Sequence, residues 1–192
     1  MSFEWTAVAP QEAGRTGTKP LISLVVPVYN EEAAIGAFLD RMRPILWGET
    51  EAWEILFVND GSRDATLDIV RKASSSDARI RALDLSRNFG KEAALSAGLD
   101  HAMGHSIIVI DVDLQDPPEL IPEMLRLWQE GFEVVQARRA DRSTDRFLKR
   151  CTAAAFYRVI NALSSNAIPA NVGDYRLLDA KVVDALKRYG ER

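Results

Sequence analysis

The sequence predicts an α/β fold: a mostly parallel sheet with helices packed on both faces. Three observations predict it. Apolar, β-branched runs alternate with segments of helical periodicity from residue 21 to about residue 137, the pattern of parallel strands joined by crossover helices. Each run is apolar inside and polar at its C-terminal end, where Asn30 and Glu31, Asn59 and Asp60, Arg87 and Asn88, Asp111 and Asp113, then Arg138 and Arg139 collect in turn. The 192 residues are 47% hydrophobic, enough for one core and one domain.

Residues 1–20, rich in Gly, Pro and Thr, read as a mobile leader, and 21–192 as the folded domain. "LISLVVPVYN" (21–30) is a buried strand, broken near Pro27. "EEAAIGAFLDRMRPIL" sets Ile35, Phe38, Leu39, Met42 and Leu46 at helical spacing. "WEILFVNDGSRDAT" is a second strand closing in turn residues, and "TLDIVRKASS" a helix. "RIRALDLSRN" is a third strand, "GKEAALSAGLDHAM" an Ala-rich helix and "SIIVIDVD" a fourth strand. "PPELIPEMLRLWQEG" opens with prolines, as the first turn of a helix tolerates. "FEVVQARR" is a fifth strand, 144–165 a long helix and "DAKVVDALKRYG" a shorter one.

Composition excludes several classes of function. A net charge of −4 rules out a polybasic nucleic-acid binder, so any basic site is local. A single cysteine, Cys151, allows neither an intrachain disulfide nor a Cys-rich zinc site. With no signal-peptide pattern and no apolar run near the roughly 20 residues that span a bilayer, the chain is expected to be soluble and cytoplasmic.

In open parallel sheets ligands lie outside the carboxyl ends of the strands, where the polar residues gather here. Asp111-Val112-Asp113 is the sharpest feature. Alternation in an extended chain puts both carboxylates on one side and Val112 on the other, with Gln115 following them if the extension continues. Two carboxylates and an amide oxygen suit Mg²⁺ or Mn²⁺. Crowded carboxylates also require a positive charge to offset their desolvation. Asp116, ahead of Pro117 and Pro118 and with Glu119, reads as a helix cap.

Asp60 in "NDGSRDAT" either turns the chain or stays exposed to accept a hydrogen bond from a base or ribose, with Asp64 capping the next helix. Tyr29 in "PVYNEE" either ends its strand or lies against a nucleobase, with Asn30 as cap. "RNFGKEAALSAG" lacks the spacing of a phosphate loop, but Lys91 at a helix start opposes the helix dipole and implies an anionic neighbour. His101 and His105 decorate a helix C-terminus. Arg138, Arg139 and Arg142 follow the fifth strand on the ligand rim, where a diphosphate would meet them. "NVGDYRLLDA", with Asp174, Tyr175 and Arg176, reads by itself as the start of a helix.

Together, "SLVVPVYNEE", "VNDGSRDAT", "LSRNFGKEAALSAGL", "DVDLQDPPE", "ARRADR" and "NVGDYRL" resemble the family 2 glycosyltransferases of GT-A (Rossmann-like) fold, in family order and over residues 21 to about 190. The branch most resembled is the polyprenyl-phosphate glycosyltransferases, such as dolichol-phosphate mannose synthase. The resemblance implies a metal-dependent, inverting transfer of a sugar from a UDP- or GDP-linked donor to polyprenyl phosphate, bringing the chain into peripheral contact with the inner face of the plasma membrane. It implies that Pro27, Tyr29, Glu31, Val58 and Asp60 line the nucleotide pocket, and that Asp111, Val112 and Asp113 meet the nucleotide-sugar. Asp111 and Asp113 would hold Mg²⁺ or Mn²⁺ with Gln115. Arg139, Arg142 and Arg176 would bind phosphate, and Asp174 would be the base or orient the acceptor. Two alternatives stand beside this: a saccharide or protein acceptor, and a truncated nucleotide-sugar-binding domain without catalysis. The branch usually continues with amphipathic and often transmembrane helices, whereas this chain ends "RYGER", the expectation for a fragment, a truncated form or a soluble relative. Asn171 stands where relatives often carry Asp.

Overall fold

The structure, a computed structural model, describes residues 3–7, 22–50, 52–139 and 175–189. The helix expected over 144–165, with Cys151, lies outside them. The elements run β1 (Phe3–Ala7), β2 (Ile22–Val28), α1 (Ile35–Glu49), β3 (Trp53–Asn59), α2 (Thr66–Ser76), β4 (Ile80–Asp84), α3 (Lys91–His101) and β5 (Ser106–Val109). A 3₁₀ turn (Pro118–Leu120), α4 (Ile121–Gln129), β6 (Val134–Arg139), β7 (Arg176–Asp179) and α5 (Ala180–Tyr189) follow. The strands form one seven-stranded sheet in the order β1-β6-β7-β5-β2-β3-β4. β5, β2, β3 and β4 are mutually parallel, as the strand–helix alternation predicts. β7 is antiparallel to both its neighbours, β5 and β6.

Two cores follow from strand alternation. Leu24, Val26 and Val28 of β2, Ile55 and Phe57 of β3 and Ile108 of β5 face α1, α2 and α4, where Phe38, Met42, Val70, Met124 and Trp128 close the layer. Val25, Leu56, Val58, Ile107 and Val109 face the other way, against Ala94 and Leu95 of α3 and Val183 of α5. In α1 the five apolar positions picked out by spacing, Ile35, Phe38, Leu39, Met42 and Leu46, are the buried ones. Pro44 lies inside this helix on its exposed side, so the carbonyl left without a donor faces water.

Three expectations are corrected. Phe3–Ala7, placed in a mobile leader, is the edge strand β1, paired antiparallel with β6. The strand at 22–28 is not broken at Pro27. Val25 accepts the Ile110 N–H on the β5 side, and Val28 accepts the Asp60 N–H on the β3 side. By alternation the proline nitrogen faces the β5 side, beyond the last β2–β5 pair, where no donor is needed. Arg176–Asp179, expected to open a helix, is a strand in mid-sheet, and the helix starts only at Ala180.

At the N-terminal ends of the strands a buried polar network ties β2, β3 and β4 to the loop after α3. The Glu54 carboxylate accepts from Ser23 Oγ, from the Met103 N–H at 2.7 Å and from Arg81 Nη1 at 2.6 Å. The Gly104 N–H donates to Ser23 Oγ at 2.8 Å. Near-complete burial of a carboxylate at Glu54 is tolerable because its oxygens are hydrogen-bonded and ion-paired.

Candidate active site

At the opposite, carboxyl end of the parallel strands a cleft of about 330 Å³ opens between the ends of β2, β3 and β5 and the start of α3. Pro27, Tyr29 and Glu31 line it from β2 and the loop beyond, Asp60 from the end of β3, and Asn88, Gly90 and Lys91 from the approach to α3. Asp111, Val112 and Asp113 complete it from the end of β5. The cleft lies where the rim rule expects a ligand, and its lining brings together seven of the eight residues expected around the nucleotide-sugar.

Two loops build the near wall. Asn30 turns the chain with φ 55°, a conformation Asn tolerates well; its side-chain Oδ1 accepts the Arg63 N–H at 2.8 Å and its backbone N–H donates to Ser62 Oγ. The Glu31 N–H donates to Thr66 Oγ1 at 2.8 Å, and Glu32 accepts the Ala65 N–H at 2.8 Å. Asn30 is thus a cross-link to the 62–66 turn rather than a helix cap, the N-cap of α1 being Ala34. These reciprocal bonds hold Tyr29 at the rim, 41% exposed.

Asp60 departs from its expected state. It lines the cleft but is buried, and its two oxygens accept the Phe89 N–H at 2.7 Å and the Gly90 N–H at 2.9 Å. It therefore holds the loop that leads into α3. Val58 does not line the cleft: its side chain is fully buried against α3, because alternation turns residue 58 to that face.

Asp111 and Asp113 both line the cleft, as does the buried Val112 between them. The extension that would carry Gln115 along with them is absent. The chain turns at 112–113, Leu114 takes φ 58°, and the Gln115 N–H donates back to Asp113 Oδ1 at 3.1 Å. Gln115 is exposed outside the cleft lining. One positive charge beside the carboxylates is Lys91, whose Nζ lies 2.9 Å from Asp111 Oδ2. Both side chains are more than a third exposed, so the pair is worth about 0–1 kcal/mol.

Arg176 stands in register with Val109, at the same rim as the aspartates, and its Nε is buried without a hydrogen-bond partner. Next to it, Tyr175 is buried and donates its hydroxyl to the Pro117 carbonyl at 3.2 Å, joining "GDYRL" to "DLQDPPE". Burial, then the charges of Asp116 and Glu119, push its hydroxyl well above the ordinary tyrosine range, so it stays a donor. Asp116 does not stand at the N-cap of the 3₁₀ turn; Pro117 does, with no side-chain cap. Arg139 ends β6 opposite Phe3. Arg142 and Asp174 lie outside the described residues. Sequence reasoning set Asn88 on the rim and noted Lys91's charge but gave neither a role in the site, and it missed Gly90 as a cleft residue; the signal was the glycine break before an apolar helix.

The donor set suits a divalent cation. Asp111 and Asp113 offer hard oxygens side by side, and Asp111 already carries a cation. Among the described residues no group of three or more His, Cys, Asp or Glu could hold a metal ion; Mg²⁺ is commonly held by one or two carboxylates with water and substrate phosphates.

Residues 23–187 match the sequence model of Glycosyl transferase family 2. The chain belongs to that family. As a family 2 glycosyltransferase it is 51% identical over 171 residues to a bactoprenol glucosyl transferase of Shigella phage SfV, covering 89% of this chain and 56% of that protein. It is 52% identical over 171 residues to a prophage bactoprenol glucosyl transferase homolog of Escherichia coli K12, with the same coverage. The chain thus spans about half the length of the curated relatives it matches. Among solved structures, the fold is shared with a mannosyltransferase of Pyrobaculum calidifontis in complex with GDP-Man and Mn²⁺, at TM-score 0.56 and 21% identity over 93% of this chain and 50% of that one. It is shared equally with glucosyl-3-phosphoglycerate synthase of Mycobacterium tuberculosis in complex with Mn²⁺, UDP and phosphoglyceric acid, at TM-score 0.59 and 23% identity over 85% and 57%. These two likenesses carry the GT-A architecture of this family 2 domain. No helix among its described residues is long and apolar enough to cross a membrane.

Proposed function

We propose that this domain is the donor half of an inverting, metal-dependent glycosyltransferase that moves a sugar from a UDP- or GDP-linked donor to polyprenyl phosphate. The observation that carries the proposal is the pair Asp111 and Asp113 facing Tyr29, Glu31 and Asp60 across one cleft. The two relatives named for bactoprenol support the acceptor, and the two solved structures holding Mn²⁺ support the metal.

Tyr29 offers a ring to the base at the outer end of the cleft, with Pro27 and Glu31 framing it. Asp60 keeps the 88–91 segment against the diphosphate, whatever further contact its remaining lone pairs make. Asp111 and Asp113 would hold Mg²⁺ or Mn²⁺, which supplies charge to offset that developing on the departing nucleoside diphosphate. Gln115, outside the cleft lining, joins this set only through rearrangement of the 112–115 turn. Arg176, with an unsatisfied buried Nε, and Arg139 and Arg142 are the proposed phosphate ligands, matched to oxygens in pairs. A phosphate acceptor has its second pKa near 6 and is already nucleophilic at neutral pH. Asp174 is accordingly proposed to orient the acceptor; the role of base belongs to it only for a hydroxyl acceptor. An acceptor carried by a lipid places the work at a membrane surface, the inner face of the plasma membrane.

Calorimetric titration with UDP and with GDP, each with Mn²⁺ and again with EDTA, tests the donor site. One nucleotide is expected to bind, and only with the metal. Asp113→Asn should lose that binding by about tenfold or more, since a charged ligand is removed, while its exposed position keeps the stability change within about 0.5 kcal/mol. Equal binding with EDTA, or by the variant, would sink the metal assignment. Acceptor use is read separately, by sugar transfer to polyprenyl phosphate.

A further inference from the structure

We infer that Arg87 and Phe89, with Tyr29 and Arg63 on the neighbouring wall, form a docking surface that seats the mouth of the cleft on an anionic lipid bilayer. The inference rests on the reading of a lipid-borne acceptor above and adds to it the face that meets the lipid.

The chain between β4 and α3 divides its residues between two surroundings. Asn88 and Gly90 line the cleft, whereas Arg87 and Phe89 stand outside its lining and are exposed, Phe89 by 51%. A single exposed apolar residue is ordinary on a protein surface, but this one is neither loose nor alone. Its N–H is held at 2.7 Å by the buried Asp60 carboxylate. Beneath it the backbone at Arg87 passes so near Gly61 that a Cβ there would stand 2.5 Å from the Arg87 carbonyl carbon. A fixed backbone therefore keeps the Phe89 ring in water. The Arg87 guanidinium lies over that ring, 4.8 Å from its centroid, which sets a cation and an aromatic face at one spot. The neighbouring wall repeats the pairing. Tyr29 is exposed at the rim, and Arg63 is exposed on the turn that Asn30 cross-links to it. The acids beside Arg63 engage backbone N–H groups, Glu32 that of Ala65, and Asp64 those of Glu32 and Thr66.

Aromatic side chains favour the boundary between headgroups and hydrocarbon, and arginine matches phosphate oxygens. The whole chain carries a net charge of −4, which an anionic surface repels. Contact is therefore directional: the molecule approaches such a surface with its cations and aromatics leading. That face carries the cleft mouth, so docking brings the cleft to the headgroup plane in which a lipid-borne phosphate lies.

Co-sedimentation of the full chain with vesicles tests this. The wild type should bind vesicles of mixed phosphatidylglycerol and phosphatidylcholine about tenfold or more tightly than pure phosphatidylcholine, and salt should weaken that binding. Arg87→Gln should weaken binding to the anionic vesicles about fivefold, the scale of one basic side chain at such a surface. Phe89→Ala should weaken it by about as much, through lost apolar insertion. Met103→Ala removes an exposed apolar side chain from the loop after α3, at the opposite end of the sheet, and should bind as the wild type does. An unchanged melting temperature shows that the variants are folded. A wild type that does not bind anionic vesicles overturns the inference and leaves the rim to a protein surface. Undiminished binding by the variant carrying both Arg87→Gln and Phe89→Ala overturns it too, as does an equal loss in Met103→Ala. Nucleotide titration of the same samples separates the two readings: vesicle binding without nucleotide binding removes the donor site and leaves this surface, and nucleotide binding without vesicle binding does the reverse.

Discussion

Gly61 takes φ 67°, and a Cβ there would stand 2.5 Å from the Arg87 carbonyl carbon and 2.6 Å from the Asn88 nitrogen. Two demands meet at one residue: a left-handed turn after β3, and room for the 87–90 segment to pass. Neither obstacle is a movable side chain, so Gly61→Ala is expected to cost about 2–4 kcal/mol from strain and overpacking combined. A denaturant midpoint lowered at unchanged slope would measure it; a neutral result would mean that the loop yields. Asp60, immediately before, uses its carboxylate to hold that same loop through the N–H groups of Phe89 and Gly90. The sequence shows a polar residue at a strand end, and strand ends point ligand-ward, so the cleft position was legible. Its commitment to residues 89–90 was not, because nothing local says which distant backbone will pass by. Val58 failed for a simpler reason. One position along a strand reverses the face, and only the packing of α3 shows which face is covered.

Among the elements, α3 links the two ends of the sheet. Its N-terminus presents Lys91 to the cleft, and the loop beyond its C-terminus is held by the Ser23–Glu54 network. Between them Gly98 lies so near β2 and β3 that a Cβ would stand 2.4 Å from Val25 Cγ1 and 2.9 Å from Val58 Cγ2. Gly98→Ala is expected to destabilise by about 1–3 kcal/mol and, by lifting the helix, to weaken nucleotide binding; stability lost with binding intact would show that the cleft is insulated from this contact. The parallel strands and their helices were legible because each is long enough to show a period. β7 was not. "RLLD" offers two adjacent leucines, Leu177 and Leu178, which the structure buries on opposite faces, and four residues flowing directly into "AKVVDALKRY" carry no break between strand and helix.

For the whole molecule, the seat of β7 decides whether the sheet is one body. Leu177 pairs with Ile108 on one side and Val135 on the other and is fully buried. Leu177→Ala should cost about 2–5 kcal/mol, against about 0.5 kcal/mol or less for Leu186→Ala, a substitution at an exposed position. Thermal or denaturant unfolding of the two variants measures the difference, and equal stability would mean that β7 is dispensable. Two stretches remote in sequence, "DVDLQDPPE" and "NVGDYRL", also meet here, Tyr175 beside β7 bonding to Pro117 after the aspartates. The strand order has a consequence for how the protein is made. β5 leaves the ribosome about seventy residues before β7 does, and β6 joins β5 only through it. At roughly 5–20 residues per second, every nascent chain spends several seconds with the apolar edge of β5 bare and β6 unseated. Of the strands described, the last synthesised is the one that closes the middle, so the nascent sheet is most open to misassociation just before β7 is seated.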